Sequence, residues 1–132
     1  MLCYNIVMEL TKYEQEFYEY FKKKLFLSGI SIKTKTTINS LCEERKDVNF
    51  VFGKDTSLMS NIIIDFVLYR GKRAIAGIEI IDEPDELENE KGKKLLIDTL
   101  FKSMGYQYFR VVNLNKLKEA ATIIAEQAKK LK

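Results

Sequence analysis

The chain has 132 residues, of which 46% are hydrophobic and 31% charged, and 22 basic against 19 acidic residues give a formal net charge of +3. This length predicts a single domain, residues 1–132, with a core of its own. The sequence contains no histidine, which excludes His-based triads, haem ligation and His zinc sites, and its two cysteines are too few for a disulfide framework. No apolar run approaches the ~20 residues that cross a bilayer. The first ten residues lack the features of a signal peptide, so we expect a cytoplasmic protein with no membrane partner.

The predicted elements begin with a helix. Thr11 and Glu14 form a T-x-x-E capping box, and apolar residues at three- and four-residue spacing continue the helix to about residue 27. Alternation from Ile30 to Thr37 predicts a half-exposed strand. Residues 38–47 form a short helix or a loop, and residues 48–52 a strand or a packed loop.

Two apolar runs, 61–69 and 74–81, flank the turn residues 70–73 and predict a β-hairpin. The acidic stretch 82–90 is expected to be an exposed loop. A second helix is predicted over 93–104, with Leu95, Leu96, Thr99, Leu100 and Met104 on its inner side, then a strand over 106–112 and a last helix over about 115–131. The fold class is therefore α/β, a mixed central β-sheet flanked by helices, with its core in residues 10–112.

Two carboxylates stand inside the apolar hairpin strands. Asp65 lies between three isoleucines and Phe66, and Glu79 lies between Ile78 and Ile80. A buried carboxylate must be paired, hydrogen-bonded or bound to a cation, because an uncompensated buried charge is costly. On adjacent strands the two could converge on a Mg²⁺ or Mn²⁺ site, since hard cations prefer oxygen ligands. The alternative is structural: an ion pair of Glu79 with Arg70, Arg73 or Arg110, and a turn-capping Asp65.

The residues around these acids resemble the PD-(D/E)XK, or restriction-endonuclease-like, superfamily, in particular compact bacterial members related to very-short-patch-repair endonucleases. The resemblance covers roughly residues 10–112. It rests on Ile64-Asp65-Phe66-Val67-Leu68, Ile78-Glu79-Ile80-Ile81, a helix ending in Gly105, and Tyr108-Phe109-Arg110-Val111. It implies a restriction-endonuclease-like fold, a role in nucleic-acid metabolism and Mg²⁺-dependent phosphodiester hydrolysis by an endonuclease.

The resemblance also implies roles for individual residues. Asp65 and Glu79 would be catalytic and ligate Mg²⁺ or Mn²⁺, and Glu14 of the first helix would join them as a metal ligand. Nucleic acid, with DNA favoured, would be the partner, and a homodimer would be the assembly. Four lysines are predicted to contact nucleic acid: Lys33, Lys35, Lys91 and Lys93.

The sequence departs from the superfamily pattern at the lysine of its E-x-K motif. That position holds Ile81, and the nearest acid, Asp82, is offset by one residue and so points to the opposite face of a regular strand. We predict that Lys94, from the following helix, supplies the missing catalytic lysine; its alternative is a solvated helix start. The nuclease is degenerate if it does not. The alternative function is a non-catalytic module of the same fold that binds nucleic acid or a protein, the latter through the acidic stretch 82–90.

Overall fold

The computed structural model describes residues 10–43, 62–81 and 91–132. The helices are α1 (Lys12–Lys24), α2 (Ile38–Glu43), α3 (Lys91–Met104) and α4 (Leu117–Lys129), the last preceded by a 3₁₀ turn at Leu114–Lys116. The strands are β1 (Ile30–Thr37), β2 (Ile63–Arg70), β3 (Arg73–Ile80) and β4 (Gln107–Val111). The predicted strand or loop over 48–52 and the predicted loop over 82–90 lie outside the described residues.

The described strands form one mixed sheet in the order β1-β2-β3-β4. β1, β2 and β3 pair antiparallel, and β4 pairs parallel to β3 after the crossover through α3. β2 and β3 are the central strands and are buried on both faces, which is why their sequences are apolar without alternation. The α/β class, the mixed sheet and the hairpin predicted from the sequence are confirmed.

Two apolar clusters cover the two faces of the sheet. On one face α1 and α4 pack around Phe17, Phe21 and Phe66, whose rings lie against one another. On the other face α2 and α3 pack through Leu41 and Phe101. The helices therefore flank the sheet on both sides, as predicted.

The inner side of α3 differs from the prediction. Leu95 is 68% exposed and Thr99 is also exposed, whereas Ile97 and Phe101 are buried beside Leu100 and Met104. The spacing of apolar residues in this helix admits both stripes, and packing against the sheet selects the one that includes the large Phe101 ring. Among the residues that the structure describes, no helix combines the length and the apolar character that crossing a bilayer requires.

Gly77 in β3 marks the closest approach between the sheet and α3. A Cβ atom at this position would lie 2.5 Å from Cε2 and 2.9 Å from Cζ of Phe101, and 3.2 Å from Cγ2 of Ile64. Glycine is therefore required by packing, because the Phe101 ring occupies the space that any side chain would need.

We predict that Gly77→Ala destabilises the protein by about 1–3 kcal/mol, the usual cost of overpacking a core. The measurement is urea unfolding, with Phe101→Leu and the double variant alongside. The double variant should recover part of the loss, because leucine vacates the ring position. Equal losses that simply add in the double variant would contradict a clash between these two residues.

Candidate functional site

Lys35 of β1 joins two buried carboxylates from different elements. Its Nζ atom lies 2.8 Å from the Glu14 carboxylate of α1 and 2.9 Å from Oδ1 of Asp65 in β2. The Lys35 side chain is 14% exposed, and Glu14 and Asp65 are both buried. One ammonium therefore serves two carboxylates in a largely water-free place, where such interactions are strong.

Glu14 also completes the N-terminal cap of α1. Its Oε1 atom accepts the Thr11 N–H at 2.9 Å, and the Thr11 hydroxyl accepts the Glu14 N–H at 3.2 Å. The predicted capping box is confirmed. Because Glu16 on the same helix is exposed, Glu14 is the helix acid that the fold turns inward.

Asp65 lies where β2 and β3 part. The backbone register between these strands runs from Arg70↔Arg73 to Phe66↔Ile78 and does not continue to Asp65. Instead, Oδ2 of Asp65 accepts the N–H of Ile80 at 2.8 Å. A side chain thus replaces a backbone carbonyl in the ladder, which anchors the carboxylate beside the residue that follows Glu79.

Glu79 is held from β4. Its Oε1 atom accepts a hydrogen bond of 2.9 Å from the Tyr108 hydroxyl, and the Tyr108 ring meets Phe101 edge-on, with centroids 5.4 Å apart. Burial and the negative charge of Glu79 raise the pKa of Tyr108, so its hydroxyl stays protonated and remains a donor. Arg110 lies opposite Glu79 in the parallel register, and in the described part of the chain its buried Nε atom has no hydrogen-bond partner. The structural alternatives through Arg70 and Arg73 find no support, since both guanidinium groups bond to backbone carbonyls of the chain's last residues.

The backbone of Lys35 is unusual for a strand. Its φ is +49°, in the left-handed region that a residue with a Cβ rarely occupies. The flanking pairs Thr34↔Phe66 and Thr36↔Ile64 place Lys35 opposite Asp65. In a regular strand Lys33 and Lys35 would point to the same face of the sheet. Lys33 is exposed, with its Nζ atom 6.0 Å from the centre of the Tyr69 ring, whereas Lys35 is half-buried. Such strain, of the order of 1–3 kcal/mol, is characteristic of functional positions.

The pKa values of the two carboxylates that share the ammonium shift in opposite directions. Burial, and next the neighbouring Glu14, raise the pKa of Asp65 to about 7. Burial opposes ionisation of Glu14 as well, but hydrogen bonds to Asp65, Lys35 and the Thr11 backbone outweigh it and lower the pKa of Glu14. The pair therefore behaves as one unit in which Glu14 carries the charge first and Asp65 retains a proton near neutrality.

The charge and chemistry of the pair suit a divalent cation. When both carboxylates ionise, Lys35 balances only one of them; among the described residues, Oδ1 of Asp65 accepts from Lys35 and Oδ2 accepts from the Ile80 N–H. Across residues 10–43, 62–81 and 91–132, however, no three acidic, Cys or His side chains cluster closely enough to hold an ion by themselves. Asp65 is anchored to the N–H of Ile80, the residue after Glu79, and Glu14 is joined to Asp65 through Lys35.

The remaining predicted residues are placed as follows. Lys91, Lys93 and Lys94 lie in the first turn of α3, and the structure describes their backbone only. Lys94 as the catalytic lysine stays a prediction, as do the nucleic-acid contacts of Lys33, Lys91 and Lys93. Ile81, which stands at the superfamily's lysine position, is buried, and its N–H bonds to the Val111 carbonyl at 2.9 Å.

The sequence analysis did not identify the position of Lys35 in the site or the role of Tyr108. The superfamily resemblance predicts nucleic-acid contact for Lys35, as it does for Lys33. The signal in the sequence is the K-T-K-T alternation over residues 33–36, but the β1–β2 register cannot be predicted from residues so far apart in the chain. No protein-family model, curated protein or solved structure matches the chain.

The raised pKa of Asp65 predicts a pH dependence of stability. A folded-state pKa of about 7 above the ordinary 3.8 means that the native state binds this proton more tightly than the unfolded state. The contribution of Asp65 to the free energy of unfolding therefore falls as pH rises from about 4 to about 7. We expect the stability advantage of the wild type over Asp65→Asn to shrink across that window.

The measurement is urea unfolding of both proteins between about pH 5 and about pH 8, above the range in which Glu14 titrates. Glu16→Gln is the matched control, because its carboxylate is exposed on the same helix as Glu14. A constant difference between wild type and Asp65→Asn throughout the window would contradict the assigned shift.

Proposed function

We propose that the protein is a metal-dependent phosphodiesterase of nucleic-acid metabolism, with Asp65 and Glu79 as metal ligands and Lys35 as the lysine of the site. The observation that carries the proposal is the contact of the Lys35 ammonium with Asp65, on the strand next to Glu79. Two strand carboxylates and one lysine are the groups that the PD-(D/E)XK resemblance requires. Here the lysine would come from β1 and not from the E-x-K position held by Ile81.

The chemistry follows from the groups at this point of the sheet. A bound Mg²⁺ or Mn²⁺ would neutralise charge on the scissile phosphate and lower the pKa of a water molecule. The Ile80 N–H would orient the Asp65 carboxylate toward the metal, and the Tyr108 hydroxyl would orient the Glu79 carboxylate. Lys35, beside Asp65, would orient the attacking water or stabilise the negative charge that develops on the phosphoryl oxygens.

The substrate we propose is DNA, and the assembly a homodimer, since cutting both strands of a duplex takes two such sites. Both follow from the superfamily resemblance. Exposed Lys33, two residues from Lys35 on β1, is the described lysine best placed to contact the backbone phosphates beside the site.

A second candidate function is a non-catalytic module of the same fold. The observation in its favour is that Lys35 already neutralises one carboxylate of the pair while Glu14 caps α1. Because these acids have structural partners, they can be stable in the fold of a protein that catalyses no reaction. Metal binding separates the two candidates.

We predict that Mn²⁺ binds the wild-type chain and that Asp65→Asn and Glu79→Gln each abolish binding, because each removes a charged oxygen ligand while preserving side-chain size. The measurement is isothermal titration calorimetry, with Glu16→Gln as the exposed acidic control. In the same proteins, Mg²⁺- or Mn²⁺-dependent nicking of supercoiled plasmid and cleavage of single-stranded oligonucleotides should fall about a hundredfold or more. Absence of Mn²⁺ binding by the wild type would favour the non-catalytic module.

The origin of the lysine is tested by substitutions on two elements. Lys35→Met should lower the cleavage rate about 10²–10³-fold, the usual cost of losing one group that stabilises transition-state charge. It should also destabilise the protein by about 3–5 kcal/mol, because two buried carboxylates lose their cation. Lys35→Arg keeps the charge and the fold but changes the geometry, so it should lose rate with little loss of stability.

Lys118→Met is the matched control, since this lysine is exposed on α4 and has no role in the proposed site. Lys94→Met tests the lysine predicted from the sequence. Loss of cleavage in Lys94→Met together with an active Lys35→Arg would assign the catalytic lysine to α3 and overturn the role proposed for Lys35.

A further inference from the structure

The end of the domain opposite the Glu14–Lys35–Asp65 site is strongly basic. The end of α1, the β2–β3 turn, the end of α3 and the end of α4 meet there, and each brings exposed cations. We call this surface the cationic pole; its residues are Lys22, Lys23, Lys24, Lys72, Arg73, Lys102, Lys129, Lys130 and Lys132.

Arginine hydrogen bonds hold these segments together. The Arg70 guanidinium donates to the carbonyl of Leu131 at 3.1 Å, to that of Lys129 at 3.4 Å and to that of Ser28 at 3.5 Å. Arg73 donates to the Lys132 carbonyl. These bonds fix the backbone segments that carry the basic residues relative to one another.

Acidic residues offset little of this charge. Lys22 pairs with Glu19 at 3.2 Å and Lys129 with Glu126 at 3.7 Å, and both pairs are exposed one-turn contacts on a helix surface, which contribute little. Within the described ranges, Lys23, Lys24 and Lys72 take part in no ion pair. The pole thus presents a net positive surface to a partner.

Two large apolar side chains project from the same surface. Phe26 is 77% exposed and Leu27 is 89% exposed, directly after the lysines of α1. Leu27 has a φ of +64°, so the turn holds a leucine in a conformation that glycine or asparagine would adopt more easily. Neither the positive φ nor the exposure of Leu27 to water stabilises the free protein.

The pole is remote from the candidate site. β2 runs from Asp65 to Arg70, and five residues at roughly 3.3 Å each separate the two ends by about 17 Å. α1 likewise runs from Glu14 at the site to Lys24 at the pole, about 15 Å at roughly 1.5 Å per residue. A phosphate at the site would not touch the pole.

We propose that the cationic pole docks on an anionic lipid bilayer, with Phe26 and Leu27 inserted at the level of the headgroups and the surrounding lysines paired with lipid phosphates and carboxylates. Basic residues gain attraction from an anionic leaflet, and exposed apolar side chains gain burial at its interface. Docking on a bilayer surface needs neither a spanning segment nor a signal peptide, so it replaces the expectation of no membrane partner. The docking does not rest on the proposed hydrolysis.

A lipid surface accounts for both features of the pole, whereas a nucleic-acid backbone accounts for one. Phosphodiesters would satisfy the lysines, but they offer no hydrocarbon in which to bury Phe26 and Leu27. The apolar pair stands on a projecting turn, a shape that penetrates a soft interface. Dependence of binding on the apolar pair is therefore the distinguishing property.

The test is co-sedimentation of the full chain with vesicles of phosphatidylcholine alone or with about one third phosphatidylserine. We expect binding to the anionic vesicles that weakens with added salt. Phe26→Ser combined with Leu27→Asn should weaken it about tenfold or more, with asparagine chosen because it tolerates the positive φ. Lys23→Gln combined with Lys24→Gln should weaken it by about fivefold for each charge removed.

Matched controls come from other faces of the domain. Val112→Ser with Ile123→Ser removes a second exposed apolar pair, 54% and 58% exposed, and should leave vesicle binding unchanged. Lys118→Gln, at the opposite end of α4 from the pole, should do the same. All these positions are exposed, so an unchanged melting temperature verifies that the variants fold.

Three results would overturn the proposal. The first is no binding of the wild type to anionic vesicles, and the second is vesicle binding that Phe26→Ser with Leu27→Asn leaves intact. The third is binding of a labelled DNA duplex, but not vesicles, that is lost only in the lysine variant, which would make the pole a nucleic-acid contact. Cleavage assays are separate from all three, so either proposal can fail alone.

Discussion

The sharing of one lysine ammonium by Glu14 and Asp65 is the interaction on which this end of the domain depends. It ties α1, β1 and β2 together at a point where hydrophobic packing alone would exclude all three groups. Removing the ammonium would leave two buried carboxylates without a cation, and an uncompensated charge costs more than the pair itself stabilises. Burial of Glu14, Lys35 and Asp65 is therefore interdependent, because each charge is compensated by the others. Such an arrangement is a poor way to gain stability and a good way to fix charges at defined positions.

The opening between β2 and β3 follows from the same constraint. Asp65 can meet Lys35 only if its carboxylate stays within the sheet, and the Ile80 N–H then bonds to that carboxylate in place of a backbone carbonyl. The strands part without leaving a buried donor unsatisfied, which would be costly. Tyr108 performs the equivalent task for Glu79 from the neighbouring strand. The four described strands thus each contribute one polar side chain, and each of these side chains is hydrogen-bonded to a group on another element.

The sequence predicted the features of this fold that depend on local patterns. The capping box at Thr11, the β1 alternation and the hairpin turn at Gly71 each depend on residues a few positions apart, and all are confirmed. Asp65 and Glu79 can be identified from the sequence because a carboxylate in an apolar strand is unusual, whichever strand it pairs with. The inner side of α3 was predicted correctly at Leu100 and Met104 but wrongly at Leu95 and Thr99, since only contact with the sheet decides which apolar residues of this helix are buried. The position of Lys35 could not be predicted, because it depends on the register of strands separated by α2 and residues 44–61 and on a left-handed residue within β1.

If the proposed nuclease function holds, Ile81 illustrates how the lysine of the motif can be supplied from another strand. The proposed reaction requires an ammonium within hydrogen-bond distance of the strand carboxylate. A lysine from any element of the fold can meet this requirement, whatever its distance from the carboxylate in the sequence. Once Lys35 reaches that point from β1, position 81 is free to serve the core. Ile81 is buried and extends the β3–β4 ladder through its bond to the Val111 carbonyl. A lysine at this buried position would need a carboxylate partner of its own, because an unpaired buried charge is costly. The isoleucine that breaks the motif is therefore the residue expected at position 81 when the lysine is supplied by β1.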